Sequence, residues 1–79
     1  MTITPGQSRA ARGLIGMDQA TLAQNSRVSR NTIVSFESGQ RLPGSNNLAA
    51  IRAALEAAGV EFIPENGGGA GVRQRKGRM

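Results

Sequence analysis

The stretch "QATLAQNSRVSRNTIVSFESG", Gln19 to Gly39, holds two short segments with helical apolar spacing and only "NSRVS" between them. Leu22 and Ala23 give the first segment its apolar face, and Ile33 and Phe36 give the second. Both open on the same device. Asp18 stands as N-cap with Met17 before it and Leu22 at the fourth helical position; Ser29 stands as N-cap with Val28 before it and Ile33 at the fourth position. Each set is a hydrophobic staple, which fixes the direction in which the chain enters its helix. The spacing predicts one helix from Gln19 and a second from Arg30 to near Ser38, with Gly39 as terminator, meeting at a fixed corner.

Outward from this corner the boundaries are also marked. In "TPGQ", Thr4 is an N-cap, Pro5 occupies the first helical position and Gln7 is the return partner of a capping box, so a first helix starts there and stops at Gly16. Downstream, "QRLPGSNN" reads as a loop punctuated by Pro43 and Gly44, with Ser45, Asn46 and Asn47 competing as caps of a fourth helix. Leu48, Ile51, Ala54, Leu55 and Ala58 form the apolar face of that helix, Arg52 and Glu56 pair outside it, and Gly59 ends it. "VEFI", Val60 to Ile63, has strand composition; after the flexible "NGGGAG", "VRQR" offers a second strand with weak alternation. The expected architecture is all-α: four compact helices over residues 1–59. Residues 60–79 are expected to add a short strand or hairpin, a glycine-rich connector and a basic tail.

Composition narrows the chemistry. At 79 residues, with Phe36 and Phe62 its two aromatics, the chain has room for one modest core, which makes help from a second subunit reasonable. Without cysteine or histidine there is no disulfide, no thiolate or imidazole metal site and no Ser-His-Asp arrangement. No catalytic residue, metal or cofactor is expected. The N-terminus lacks a signal-type apolar core, and no run approaches the roughly 20 apolar residues of a bilayer span. The expectation is a cytoplasmic protein with no membrane partner.

The net charge of +5 is unevenly spread. Arg9, Arg12, Arg27, Arg30 and Arg41 outnumber Asp18 and Glu37 in residues 1–47. Glu56, Glu61 and Glu65 outnumber Arg52 in residues 48–72, and Arg73, Arg75, Lys76 and Arg78 crowd the end. Two basic regions flanking an acidic one suit a polyanionic partner. The glycine-rich "ENGGGAGVRQRKG" is not a phosphate loop: such a loop needs glycine directly before the lysine and a hydroxyl residue after it, whereas Lys76 follows Arg75 and precedes Gly77.

A helix, a turn of a few residues and a second helix are the parts of a helix-turn-helix, whose second helix enters the DNA major groove. The residues resemble one family in particular. "Q-x-x-L-A" at Gln19, Leu22 and Ala23, "V-S-R-x-T-I" at Val28 to Ile33, and "F-E-x-G-x-R-x-P" at Phe36, Glu37, Gly39, Arg41 and Pro43 are similar to the lambda-repressor-like, XRE-type helix-turn-helix family over residues 5–58. The chain departs from that pattern at Arg27, where the family commonly has glycine in a left-handed turn. A left-handed arginine there costs about 1 kcal/mol relative to glycine.

Ile33 and Phe36 are needed inside, which leaves Arg30, Asn31, Val34 and Ser35 facing out. The resemblance places these four at base edges, where arginine can pair with guanine, asparagine with adenine and valine methyls with a thymine methyl. It also implies that Gln19, Gln40 and Arg41 contact phosphates, and Ser29 and Thr32 can donate similarly. Arg73, Arg75, Lys76 and Arg78 are candidates for further backbone contacts or are a solvated end. The resemblance implies a structural ion pair between Arg12 and Glu37. Phe62 either anchors a dimer or packs on its own core. The functional expectation is a sequence-specific DNA-binding transcriptional regulator, a repressor acting as a homodimer on an inverted-repeat operator in double-stranded DNA. The alternative is a module that binds another protein, such as an antitoxin or antiactivator on the same fold.

Overall fold

The chain enters its first helix through a complete capping box. In the computed structural model, which describes residues 2–76, the Gln7 N–H donates to the Thr4 hydroxyl at 3.1 Å and the Thr4 N–H donates to Gln7 Oε1 at 2.9 Å. Helix α1, Pro5–Ile15, then runs to Gly16, which turns left-handed at φ 66°. Asp18 opens α2, Gln19–Ser26, by accepting from the Thr21 N–H at 2.7 Å, and Ser29 opens α3, Arg30–Glu37, by accepting from the Thr32 N–H at 3.1 Å. Helix α4, Ser45–Ala57, departs from the sequence reading at its start: Gly44 occupies the cap position with no side-chain bond, and Ser45, Asn46 and Asn47 lie in the first turn.

The segment after α4 folds back as a hairpin. Strand β1, Val60–Ile63, pairs antiparallel with β2, Gly71–Gln74, with Glu61 opposite Arg73 and Phe62 opposite Val72. The glycine-rich stretch is the loop of this hairpin, where Gly67 and Gly69 take φ of 99° and 81°. Glycine adopts that region without the steric penalty of a Cβ.

One core joins these parts. Leu22, Ile33, Ile51, Leu55 and Val60 are fully buried, Phe36 nearly so, and Met17 packs partly buried against the same cluster. Both staples therefore close on the core. Phe62 belongs to it as well, at 7% exposure, packed on the core of its own chain. Burial from a sheet face on one side and four helices on the other is what lets so short a chain close.

Buried Gln7 ties the hairpin to α1. Its Oε1 serves the capping box while Nε2 donates to the carbonyls of Ile63 at 3.3 Å and Gly71 at 2.9 Å, the last pair of the ladder before the loop. Glutamate fills the same position in a capping box equally well, but its oxygens have nothing to donate. Gln7→Glu should therefore lower stability by about 1–3 kcal/mol, as two part-buried carbonyls lose a side-chain donor and face a carboxylate. Urea unfolding checks this, and a change within 0.5 kcal/mol would mean the amide does not hold the hairpin.

Candidate nucleic-acid interface

The corner between α2 and α3 is built from backbone geometry. Arg27 ends α2 at φ 57°, ψ 38°, the left-handed region, and is the non-glycine residue with positive φ among those described. Its N–H turns back to Ala23 and Gln24, and the Val28 N–H bonds Ala23 O at 3.1 Å. Buried Ser26 spends its hydroxyl on Leu22 O at 2.6 Å. Because the backbone closes this turn without help from the arginine side chain, Arg27→Gly should raise stability by up to about 1 kcal/mol. Thermal unfolding reads it; a lower melting temperature would show that the glycine's added freedom in the unfolded chain outweighs the relief of strain.

The staple orients α3. With Ile33 and Phe36 at 0% and 1% exposure, its opposite side presents exposed Arg30, Asn31 and Val34, and Ser35 is half-buried. Ser29 and Thr32 share a hydrogen bond between hydroxyls at 2.8 Å. The loop after α3 is strapped to it, since the N–H groups of Gln40 and Arg41 both reach Ser35 O, at 3.0 and 3.3 Å, and the Ser38 hydroxyl donates to the same oxygen at 3.1 Å. Exposed Gln40 and Arg41 are thereby held beside the outward face of α3.

Behind that face lies one buried carboxylate. Glu37, 2% exposed, accepts from Arg12 Nε at 2.9 Å and Nη2 at 2.7 Å, from the Ser8 hydroxyl at 2.6 Å and from Gln19 Nε2 at 3.1 Å. Arg9 donates to its backbone carbonyl, and Arg12 Nη1 also reaches Met17 O at 3.1 Å. Burial pushes the Glu37 carboxyl up, but the hydrogen bonds from Arg12, Ser8 and Gln19, with the Arg12 charge, outweigh it and leave the pKa below its ordinary value. Arg12 is raised, first by its hydrogen bonds to Glu37. Helices α1, α2 and α3 thus meet on a single anion.

Gln19 gives an amide hydrogen to Glu37, so its side chain is oriented from within the protein at the start of α2. It lines an open cleft with Arg12, Asp18, Ala20 and Arg30. Asp18 itself is held below its ordinary pKa, chiefly by the Thr21 N–H and less by the nearby charges of Arg12 and Arg30. Ser8, Arg9 and the inward role of Gln19 carry no local signal, because their partner is 18 to 29 positions away.

The basic end is placed elsewhere. Arg73 lies in β2 and pairs across the ladder with Glu61, Nε to Oε1 and Nη2 to Oε2 both at 3.1 Å, so its charge is matched within the hairpin. The side chain of Arg75 donates to Glu56 O at 3.0 Å, at the end of α4, and its N–H extends the ladder to Gly59 O at 2.8 Å. Lys76 is exposed, and Arg78 lies outside the described residues. The hairpin packs on α1 and α4, away from the outward side of α3. Arg73 and Arg75 are thus parts of a folded hairpin, not of a free arm.

Comparison with protein families gives a match to a model described as helix-turn-helix over residues 9–61. That span takes in most of α1, the whole α2–α3 corner, α4 and the start of β1. No curated protein matches the chain.

Proposed function

The chain belongs to the helix-turn-helix family in its XRE-type, lambda-repressor-like form, and from this premise we propose that it is a repressor that binds an inverted-repeat operator as a homodimer. The family supports a DNA-binding transcription regulator. No helix among the described residues is long and apolar enough to cross a membrane.

The observation that carries the proposal is the division of α3 into a buried side, Ile33 and Phe36, and an outward side of Arg30, Asn31 and Val34 whose donors and methyls match base edges. Flanking it, Gln40 and Arg41 are held by backbone bonds where a DNA strand passing beside the recognition helix offers its phosphates. Gln19 and the Ser29–Thr32 hydroxyl pair serve the same strand contacts at the other end of the motif. An eight-residue helix reads only a few base pairs, and a two-fold dimer doubles both affinity and the length of sequence read.

Selection from a random duplex library with the purified protein at moderate salt tests this. The expected product is an inverted repeat with half-site centres about one helical turn apart. A single unrepeated motif would remove the dimer. No enriched motif would remove the regulator and favour capture of a protein partner.

A further inference from the structure

The hairpin loop, residues 64–70, carries the dipeptide Asn66–Gly67. We propose that Asn66 is a site of covalent self-modification in the folded protein: its side-chain amide closes on the Gly67 nitrogen, loses ammonia and opens in water to aspartate and isoaspartate. The Gly67 nitrogen bonds to the side-chain carbonyl carbon of Asn66 as the bond from that carbon to NH₂ breaks, and the Gly67 N–H proton leaves within the ammonia. A cyclic imide remains. Water then adds to one of its carbonyls and breaks one C–N bond. Opening at the side-chain carbonyl gives aspartate; opening at the main-chain carbonyl routes the backbone through the side chain as isoaspartate.

The surroundings select this asparagine from the five in the chain. Asn66 and Gly67 are both exposed, and among the described residues no hydrogen bond engages the Asn66 amide or the Gly67 N–H. Gly67 stands at φ 99° with open space where a Cβ would be, so nothing crowds the attacking nitrogen. The other asparagines lie in helices, where a following N–H is tied into hydrogen bonds along the axis and away from the side-chain carbonyl. Asn25 precedes Ser26 within α2. After Asn31, the Thr32 N–H is held by the Ser29 hydroxyl at 3.1 Å. Asn46 and Asn47 sit in the first turn of α4, and the Leu48 N–H after them bonds Gly44 O at 2.9 Å. Either product adds a negative charge beside Glu65 and lowers the net charge from +5 by one. Isoaspartate also lengthens the main chain by one atom between Ile63 and Gly71, the pair whose carbonyls Gln7 holds.

The test ages the full chain in native buffer at mildly alkaline pH, which favours loss of the Gly67 N–H proton, and follows its tryptic peptides by mass spectrometry. Trypsin separates the asparagines into peptides 13–27, 31–41, 42–52 and 53–73, of which the last holds Asn66 alone. Peptide 53–73 should gain the mass of OH replacing NH₂ and resolve by chromatography into two species of equal mass, while the other three stay unchanged. Asn66→Gln should abolish the gain in that peptide, and Gly67→Ala should slow it several-fold. The rate in the native protein should resemble that in urea. Conversion of peptide 53–73 in urea but not in the native protein would overturn the proposal, because the fold would then protect the site. So would native conversion of the helical asparagines at the same rate, or a Gly67→Ala variant that keeps the full rate.

Discussion

Replacing Glu37 with glutamine should lower the free energy of unfolding by about 3–5 kcal/mol, the cost of breaking a buried ion pair by removing one partner. The carboxylate is 2% exposed and Arg12 only 19%, so water cannot fully replace what is lost. Glutamine retains one acceptor oxygen, but its NH₂ would face Arg12, Ser8 or Gln19, all of which are donors in this arrangement. The control is Glu56→Gln. That carboxylate is 37% exposed and pairs with Arg52 one helical turn away, a geometry worth about 0.3–0.5 kcal/mol. Equal small effects at both positions would show that the buried network does not stabilise the fold.

The same group sets a pH dependence. Its folded pKa is depressed below the unfolded value, so its contribution is fully present above the ordinary carboxylate range and is lost as pH falls through the folded value. The wild-type protein should thus lose stability on acidification below that range, and the Glu37→Gln variant should show a shallower acid limb. Chemical denaturation at neutral and acid pH reads both curves. If the limbs are parallel, other carboxylates control acid unfolding.

What could be read from the sequence follows the range of the interaction. Caps, staples and terminators act over four residues, and the helix starts at Pro5, Gln19 and Arg30 were legible because Thr4, Asp18 and Ser29 leave local signatures. The start of α4 is less legible: Ser45, Asn46 and Asn47 are all good caps, yet Gly44 takes the cap position with no side-chain bond and the three polar residues fall in the first turn. Strand β2 has a single apolar side chain, Val72, so its alternation is weak until β1 is beside it. The inward roles of Gln7, Ser8 and Gln19 were hidden further still. Polar residues on a helix normally face water, and nothing near them in the chain says that a carbonyl pair or a carboxylate waits across the core.

The Arg30→Ala variant should lose about 1–3 kcal/mol of binding free energy per half-site of the selected operator and relax the preference at one base pair in each. Arg30 is the first residue of α3, exposed, with Asp18 close enough to feel its charge across the corner. In the proposed complex its guanidinium would enter the groove ahead of the helix, since the first residues of a recognition helix reach base edges. Arg41 lies past the other end of α3, in the loop strapped to Ser35 O, and in the proposed complex it meets phosphate there. Losing its charge should weaken operator and random DNA alike and flatten the slope of log affinity against log salt by roughly 0.9 per subunit. The two variants thus separate reading from holding: fluorescence anisotropy on operator and scrambled duplexes over a salt series should show lost discrimination with a nearly preserved slope for one, and the reverse for the other. If Arg30→Ala instead lowers both duplexes equally and flattens the slope, Arg30 contacts phosphate, and sequence discrimination falls to Asn31 and the residues further along α3.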